Sequence, residues 1–185
     1  MGNFDKSGNV HYDLLSALQK SIRGSDPDAA IFYLAHILEG GDLIGACRRL
    51  QVIASEDIGL AFPQAPAIVR ACVDSAMAVG MPEASIPLSH AAILLATSPK
   101  SNSAHIAYEK AAADIRLGKG RNIPPYMSPT HQYQGYQYPH DFPNHWVDQP
   151  YLPEDLRGTV YYEYGPNKME QAARAYWDGI KGKKK

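Results

Sequence analysis

Between Val10 and Leu117, apolar segments alternate with glycine and proline at intervals that suit helices, and this alternation constrains the fold more than any other feature. Each interval fits a helix of about three to four turns, and no hairpin pattern interrupts the series. The first segment, Val10 to Arg23, places four apolar residues on one face before Gly24, namely Leu14, Leu15, Leu18 and Ile22. The sequence therefore predicts an all-α fold, an array of short antiparallel helices.

The boundaries of the next helices follow from their capping residues. Asp26-Pro27 is typical of an N-cap followed by proline at the first helical position, which opens a second helix that ends at Gly40-Gly41. Asp42 caps a third helix in the same way. Three further helices are predicted: Ala67 to Val79, one through the apolar run His90 to Ala96, and one that begins after the turn at residues 98–102 and reaches about Leu117.

The composition changes after Gly118. Residues 121–166 hold eight of the 14 prolines and eight of the 12 tyrosines, but only two basic and five acidic residues. Prolines exclude long helices, while the tyrosine rings carry too much apolar area to remain in water. We predict a helical domain over residues 1–120, and a Pro/Tyr-rich irregular segment over residues 121–185 that packs on it. A short strand pair is expected around Tyr161 to Tyr164, and a last helix from Asn167.

Charge and cysteine content exclude several functional classes. The chain has 18 Lys and Arg residues against 19 Asp and Glu, a net charge of −1, so it has no global positive field for a polyanion. No apolar run approaches the roughly 20 residues of a membrane span. Cys47 and Cys72 have no CxxC spacing, and no secretory signal precedes them, which favours a reducing cytoplasm. Both cysteines are expected to be small core residues.

No pattern for catalysis or cofactor binding stands out. The sequence has no Gly-x-x-x-x-Gly-Lys-Ser/Thr run, and Gly118-Lys119-Gly120 is better explained as a helix C-cap and turn. Ser89-His90 lacks the glycines of a nucleophile elbow. His131, His140 and His145 match no tight zinc spacing. Four acidic residues are interpreted as helix N-terminal anions rather than acid/base catalysts: Asp26, Asp28, Glu56 and Asp57. We therefore expect no catalytic, cofactor or metal residue in this chain.

Some residues are candidates for contacts with another subunit or with DNA. Helical arginines can form bidentate pairs with carboxylates or phosphates, tyrosine rings can stack on bases, and terminal lysines can contact phosphate backbones. Surface charge in solvent explains the arginines equally well. The candidates are Arg23, Arg48, Arg49, Tyr136, Tyr138, Lys183, Lys184 and Lys185.

Several strings, in this order, resemble one known family. They are residues 11–13, 20–30, 48–50, 54–59 and 99–102, followed by Gly135 to Asp141, Gln149 to Pro153 and Tyr161-Tyr162. Together they resemble the C-terminal part of the MgsA/RarA replication-associated recombination proteins, which are relatives of the Werner-helicase-interacting protein and of clamp-loader subunits. Ile123 to Gln134 departs from the family pattern, because this stretch is shorter and altered here.

The resemblance implies a parent protein that is an AAA+ ATPase, acting at stalled replication forks on DNA together with single-strand-binding protein. It implies that ATP and magnesium belong to an ATPase domain absent from this chain. It also implies a collar-like helical domain that holds the subunits together as a tetramer, in the bacterial cytoplasm near the nucleoid.

Three hypotheses follow. The first is a non-catalytic oligomerisation module of such an ATPase. The second is a docking module for single-stranded DNA or a partner protein, which would use the Tyr-rich segment. The third is an unrelated metal-dependent hydrolase built on His131 to His145.

Overall fold

The computed structural model describes residues 9–182, and within that range the chain is all-α with no β-strand. Seven α-helices are found there: α1 (Asn9–Arg23), α2 (Pro27–Glu39), α3 (Leu43–Ile53), α4 (Ala65–Val79), α5 (Ser85–Thr97), α6 (Ser103–Arg116) and α7 (Lys168–Lys181). The predicted all-α class is confirmed. None of the described helices is long and apolar enough to cross a membrane.

The capping residues act as the sequence predicted. The carboxylate of Asp26 accepts a hydrogen bond from the Ala29 backbone N–H, and that of Asp42 accepts one from Gly45, each at 2.9 Å. Asn167 caps α7 by the same contact with Glu170. These side chains satisfy backbone donors that have no partner inside the helix, and they fix where each helix begins.

The described chain divides into two compact units, residues 9–104 and 105–182. The domain boundary predicted near residue 120 stays a prediction. Unit 1 contains α1 to α5 around one apolar core, to which α1 contributes the four residues predicted for its inner face. α2 packs on α1 and α5, and α4 packs on α5. Cys47 and Cys72 are buried in this core as predicted, and burial raises the pKa of both thiols.

Between α3 and α4 the helix widens into a single π-helical turn, Ala54–Ile58, followed by a 3₁₀ turn, Gly59–Ala61. Gly59 has φ +48°, in the left-handed region, and a Cβ there would lie 3.0 Å from the Ser101 carbonyl oxygen. The backbone N–H of Ser101 donates to the Asp57 carbonyl at 2.8 Å. Glycine is therefore needed where this turn and the segment before α6 approach each other.

Unit 2 holds most of α6, the Pro/Tyr-rich segment and α7. The segment is irregular, as predicted, and is built from five 3₁₀ turns: Pro125–Met127, Pro129–His131, Pro139–Asp141, Pro143–His145 and Glu154–Leu156. Four of the five begin at proline, whose fixed φ suits the first position of a turn. Gly118, at φ +79°, follows α6, and the Lys119 N–H bonds back to the Asp114 carbonyl, so the predicted C-cap is confirmed.

The strand pair expected around Tyr161 to Tyr164 is wrong. The hydroxyl of Tyr161 donates to Asp114 of α6, and that of Tyr162 donates to Glu170 of α7, both at 2.8 Å. Their side chains therefore bind this stretch to two helices. No β-strand forms in the described part of the chain.

Candidate interaction site

A groove on unit 1 runs between α1 and α3, with a volume of about 480 Å³. We call it the α1–α3 groove. Its walls are formed by His11, Tyr12, Leu15, Asp42, Ile44, Gly45, Arg48, Arg49 and Val52. Two of the predicted contact residues, Arg48 and Arg49, therefore lie on one surface feature.

The two arginines of the groove differ in their contacts. Arg48 is exposed and makes no hydrogen bond or ion pair with any residue in the described range. Arg49 is half-buried, and its Nη1 donates to the side-chain Oε1 of Gln19 at 2.9 Å. Because an amide oxygen carries no formal charge, this bond orients the Arg49 guanidinium without neutralising it.

Gln19 belongs to a buried polar network that lies beneath the groove. Its side-chain Nε2 donates to Glu56 at 2.7 Å and to Asp57 at 3.0 Å. Arg23 approaches the same carboxylates, with Nε 2.6 Å from Asp57 Oδ1 and Nη2 3.5 Å from Glu56. We call these five residues the polar network: Gln19, Arg23, Arg49, Glu56 and Asp57. Arg23 binds both carboxylates and Gln19 donates to both, which allows Gln19 and Asp57 to be almost fully buried.

This network corrects one prediction. Glu56 and Asp57 lie in the π-helical turn that continues α3, not at the N-terminus of a helix, so their interpretation as helix-capping anions is wrong. They serve instead as partners of Arg23, and the hydrogen bond to Asp57 raises the pKa of that guanidinium. The capping interpretation holds for Asp26, which caps α2, and Asp28 lies in the first turn of the same helix.

Arg23 is thus bound within the chain, at the end of α1. Its side chain is still about half exposed, with 48% of the side-chain surface accessible. Contact of Arg23, Arg48 or Arg49 with another subunit or with DNA stays a prediction.

Sequence reasoning missed two members of this region, Gln19 and Lys100. The Nζ of Lys100 donates to the Ser25 hydroxyl at 3.0 Å and to the carbonyls of Ala96 and Ser98. Burial lowers the pKa of this amine, and the attraction of Asp57 opposes that shift. Gln19 carries no charge, and Lys100 has no charged neighbour in the sequence. Only the structure shows that Gln19 joins α1 to the π-helical turn, and that Lys100 joins the end of α5 to the turn after α1.

The predicted tyrosines lie in unit 2. Tyr136 contributes to a cavity of about 270 Å³ that is otherwise lined by Tyr126, Met127, Tyr133 and Tyr151. Tyr138 is exposed and lies against His140, with ring centroids 5.1 Å apart. The lysines predicted as phosphate contacts, Lys183 to Lys185, lie outside the described residues.

The described residues hold no group of three or more His, Cys, Asp or Glu side chains that could bind a metal ion. His140 and His145 do lie together, with ring centroids 4.8 Å apart, but His131 bonds to its neighbour Thr130. The hydroxyl of Ser89 donates to the Ile86 carbonyl of its own helix.

Comparison with known proteins gives one family. The family model described as MgsA AAA+ ATPase C terminal matches residues 24–181. The replication-associated recombination protein A of Bacillus subtilis (strain 168) is 48% identical over 190 residues, an alignment that covers 97% of this chain and 45% of that protein. Its Escherichia coli K12 counterpart is 38% identical over 169 residues, covering 86% and 38%.

A eukaryotic relative matches as well. The ATPase WRNIP1 of Dictyostelium discoideum is 35% identical over 171 residues, which cover 87% of this chain and 20% of that protein. The chain therefore spans less than half the length of each of these three relatives.

Proposed function

This chain belongs to the MgsA AAA+ ATPase C-terminal family, and we propose that it is the non-catalytic self-association module of such an ATPase and assembles as a tetramer. The names of the bacterial relatives support a role for the parent protein in replication-associated recombination. Nucleotide and magnesium would be bound by the part of the relatives that this chain does not span. Single-strand-binding protein and DNA would be partners of the parent protein.

The observation that carries the proposal is an uncharged helix with one uncovered side. α5 has no Asp, Glu, Lys or Arg over its 13 residues. A helix that is apolar all round is normally buried all round. One side of α5 is buried in the core of unit 1, through Leu88, Ala91, Ala92, Leu95 and Ala96.

The other side of α5 is exposed within unit 1. Ile86, His90, Ile93 and Thr97 follow each other at spacings of four, three and four residues, which places them in one stripe along the helix. Ile86 is 69% exposed and Ile93 44% exposed. We call this stripe the α5 face. It has no charge that would oppose its contact with an identical face.

Self-association would cover the α5 face. Most soluble homo-oligomers are symmetric, and in a two-fold contact the same patch occurs on both subunits. A stripe of two isoleucines, a histidine and a threonine, without acidic or lysine and arginine side chains, is self-complementary in this sense, because two copies bring no such like charges together. The α5 face would supply one contact of the tetramer.

The first test is the absolute mass of the full chain by light scattering after size exclusion, over a hundredfold range of concentration. We expect a mass near four times 20.3 kDa. Ile93→Glu would place a carboxylate in the contact and lower the mass, because a buried unpaired charge is strongly unfavourable. The matched control is Ile44→Glu, a similarly half-exposed isoleucine on α3, which should leave the mass unchanged.

Circular dichroism of each variant shows whether it has kept its helices. A monomeric wild-type chain at every concentration would contradict the proposal. So would a folded Ile93→Glu variant with the wild-type mass, since the α5 face would then not be the contact.

A second candidate function is supported by the tyrosine-lined cavity of unit 2. Four tyrosines and a methionine around one cavity can accept a planar or apolar group of single-stranded DNA or of a partner protein. The excess of acidic residues in 121–166 opposes DNA. Fluorescence anisotropy with a labelled oligothymidylate tests it: Tyr136→Ala should weaken binding, and an affinity unchanged by this substitution would exclude the cavity as the DNA site.

A further inference from the structure

The α1–α3 groove contains positive charge that the chain itself does not neutralise. Arg48 has no partner among residues 9–182, and the only bond of Arg49 is to the neutral Gln19 amide. Glu56 and Asp57, the two carboxylates of the polar network, already bind Arg23 and Gln19.

The lining of the groove holds one carboxylate, Asp42, against the two guanidinium groups, so a net positive charge remains. Asp42 Oδ1 accepts the Gly45 N–H as the N-cap of α3, and Oδ2 lies 2.7 Å from His11 Nε2. A Cβ on Gly45 would lie 1.9 Å from Asp42 Oδ2, so the glycine allows the carboxylate to fold back against the helix. Asp42 is therefore held by α1 and by the start of α3.

The walls around the arginines are apolar and exposed. On α3, Ile44 and Val52 lie four residues before and after Arg48, so the three side chains form a stripe about 12 Å long. Ile44 is 52% and Val52 49% exposed. Across the groove, Tyr12 of α1 is 72% exposed. A surface that combines apolar area with unpaired guanidinium groups is complementary to a ligand with apolar and acidic side chains.

We propose that the α1–α3 groove is a docking site for an amphipathic helix of a partner protein, with acidic residues beside its apolar face. Its apolar side chains lie between Tyr12, Ile44 and Val52, and its carboxylates pair with Arg48 and Arg49. Helices commonly bind in this way, with anchors at intervals of three and four residues that match a groove between two helices. The α3 stripe is long enough for about two turns of such a helix.

A peptide helix fits the groove better than a nucleic acid does. A nucleic acid strand needs a row of cations that follows its phosphates, whereas only two arginines line the groove, between apolar side chains. The net charge of −1 adds no wider positive field. Arg49 is also oriented in advance by Gln19, which limits the side-chain entropy lost when it pairs with a carboxylate.

The test uses the full chain and a fluorescein-labelled helical peptide of about 15 residues, which corresponds to roughly four turns. The peptide has leucines along one face and glutamates beside them. A second peptide has lysine at every glutamate position, and a labelled oligothymidylate is the third probe. Fluorescence anisotropy at low salt should show that the glutamate peptide binds at least about tenfold more tightly than either of the other probes.

Substitutions then test whether the glutamate peptide binds in the α1–α3 groove. Arg48→Glu should weaken the glutamate peptide about tenfold or more, because it removes an attraction and adds a repulsion. Arg116→Glu, at an arginine that is 68% exposed on α6, is the matched control and should change binding less than twofold. In ¹H–¹⁵N spectra the glutamate peptide should shift the amides of residues 11–15 and 44–52.

Three results would overturn the proposal. They are equal binding of the two peptides or none of either, a peptide affinity that Arg48→Glu leaves unchanged, and tighter binding of the oligothymidylate that Arg48→Glu weakens. The last result would make the groove a nucleic-acid surface. The proposal stands apart from self-association, because Ile93→Glu should alter the mass without altering peptide affinity. Ile44→Glu should do the reverse.

Discussion

The two units of the molecule are stabilised by different interactions. Unit 1 contains 26 of the 27 buried apolar residues, whereas in the described part of unit 2 only Leu156 is both apolar and buried. Burial of apolar area is the main stabilising contribution in a helical array. A segment with so small a core must be held by other means, so the same kind of substitution should have different consequences in the two units.

Unit 2 relies on hydrogen bonds that its side chains make with one another and with the backbone. Glu170 is 2% exposed, and its carboxylate accepts from the Tyr162 hydroxyl, the Gly165 N–H and the Asn167 amide. The side-chain amide of Gln149 bonds to both the N–H and the carbonyl of Gln137. The Tyr126 hydroxyl donates to the Pro150 carbonyl. Proline reduces the number of conformations that these contacts have to fix.

The largest expected effect is therefore a cavity in unit 1. Leu18 is completely buried, and Leu18→Ala should lower the free energy of unfolding by about 3 kcal/mol, through lost apolar contact and the cavity left behind. Urea denaturation followed by circular dichroism measures it, since α1 to α5 dominate the helical signal. Both tryptophans, Trp146 and Trp177, lie in unit 2, so their fluorescence follows that unit separately.

The two signals sharpen the comparison. We expect Leu18→Ala to move the dichroism midpoint more than the fluorescence midpoint. The counterpart in unit 2 is Leu156, which is 7% exposed. Leu156→Ala should move the fluorescence midpoint more than the dichroism midpoint. Equal shifts in both signals for both variants would contradict the division, because the chain would then unfold as one cooperative body.

The next effect concerns the polar network. Arg23→Met keeps the aliphatic stem but leaves the Asp57 carboxylate buried with only Gln19 as a side-chain partner. We expect a loss of about 2 kcal/mol, less than for a fully buried pair, because Arg23 is half exposed and water replaces part of the interaction. The control is Arg70→Met, whose pair with Asp74 is mostly exposed, with an expected loss below about 0.5 kcal/mol.

Urea midpoints of the two variants decide this prediction. If Arg23→Met were as mild as Arg70→Met, the polar network would contribute no more than a surface ion pair. Unit 1 would then depend on its apolar core alone.

Helix positions could be predicted in unit 1 because the signals are local. Asp26 and Asp42 cap helices through contacts three residues away, and the inner face of α1 follows from spacing alone. The polar network could not be predicted, because it joins Gln19 to Asp57 and Arg49 across 30 or more residues. For the same reason, Glu56 and Asp57 were assigned to capping, although distant side chains hold them.

Unit 2 was less predictable, and its tyrosines show why. The strand pair predicted around Tyr161 to Tyr164 is absent from the described structure, because the hydroxyls of Tyr161 and Tyr162 bind Asp114 and Glu170 on two helices. Such contacts follow no periodicity. No sequence motif predicts the α5 face or the α1–α3 groove. Each of these surfaces depends on which apolar side chains remain exposed when the helices of unit 1 pack.

A smaller effect should appear in unit 2 at alkaline pH. Burial, together with the hydrogen bond to Glu170, raises the pKa of Tyr162. A phenol whose pKa is raised on folding stabilises the protein below the unfolded value of about 10, and this contribution is lost as the pH rises above it. Tyr162→Phe should cost about 1 kcal/mol at neutral pH by removing a bond to a carboxylate.

Absorbance at 295 nm during an alkaline titration measures the ionisation of the tyrosines. Tyr162→Phe should remove a component that titrates late. Tyr108→Phe, at an exposed ring of α6, keeps the bond between Tyr162 and Glu170 and should leave that late component in place. Loss of the same component in both variants would show that Tyr162 is not held by Glu170.

The smallest effect is expected at an exposed ion pair of unit 2. Lys110 Nζ lies 2.8 Å from Glu163 Oε2, and this contact lowers the pKa of the Glu163 carboxyl. A lowered pKa stabilises the folded state above the unfolded value of about 4.3, and the contribution is lost as the pH falls through the folded value. Lys110→Gln should raise the pKa of Glu163 and leave the urea midpoint unchanged, because solvent screens such pairs. Carboxyl titration by NMR measures the shift, with Lys168→Gln as the control on an exposed lysine of α7. A shift in the urea midpoint comparable to that of Arg23→Met would contradict the proposed difference between the two units. A surface ion pair would then stabilise unit 2 as strongly as the polar network stabilises unit 1.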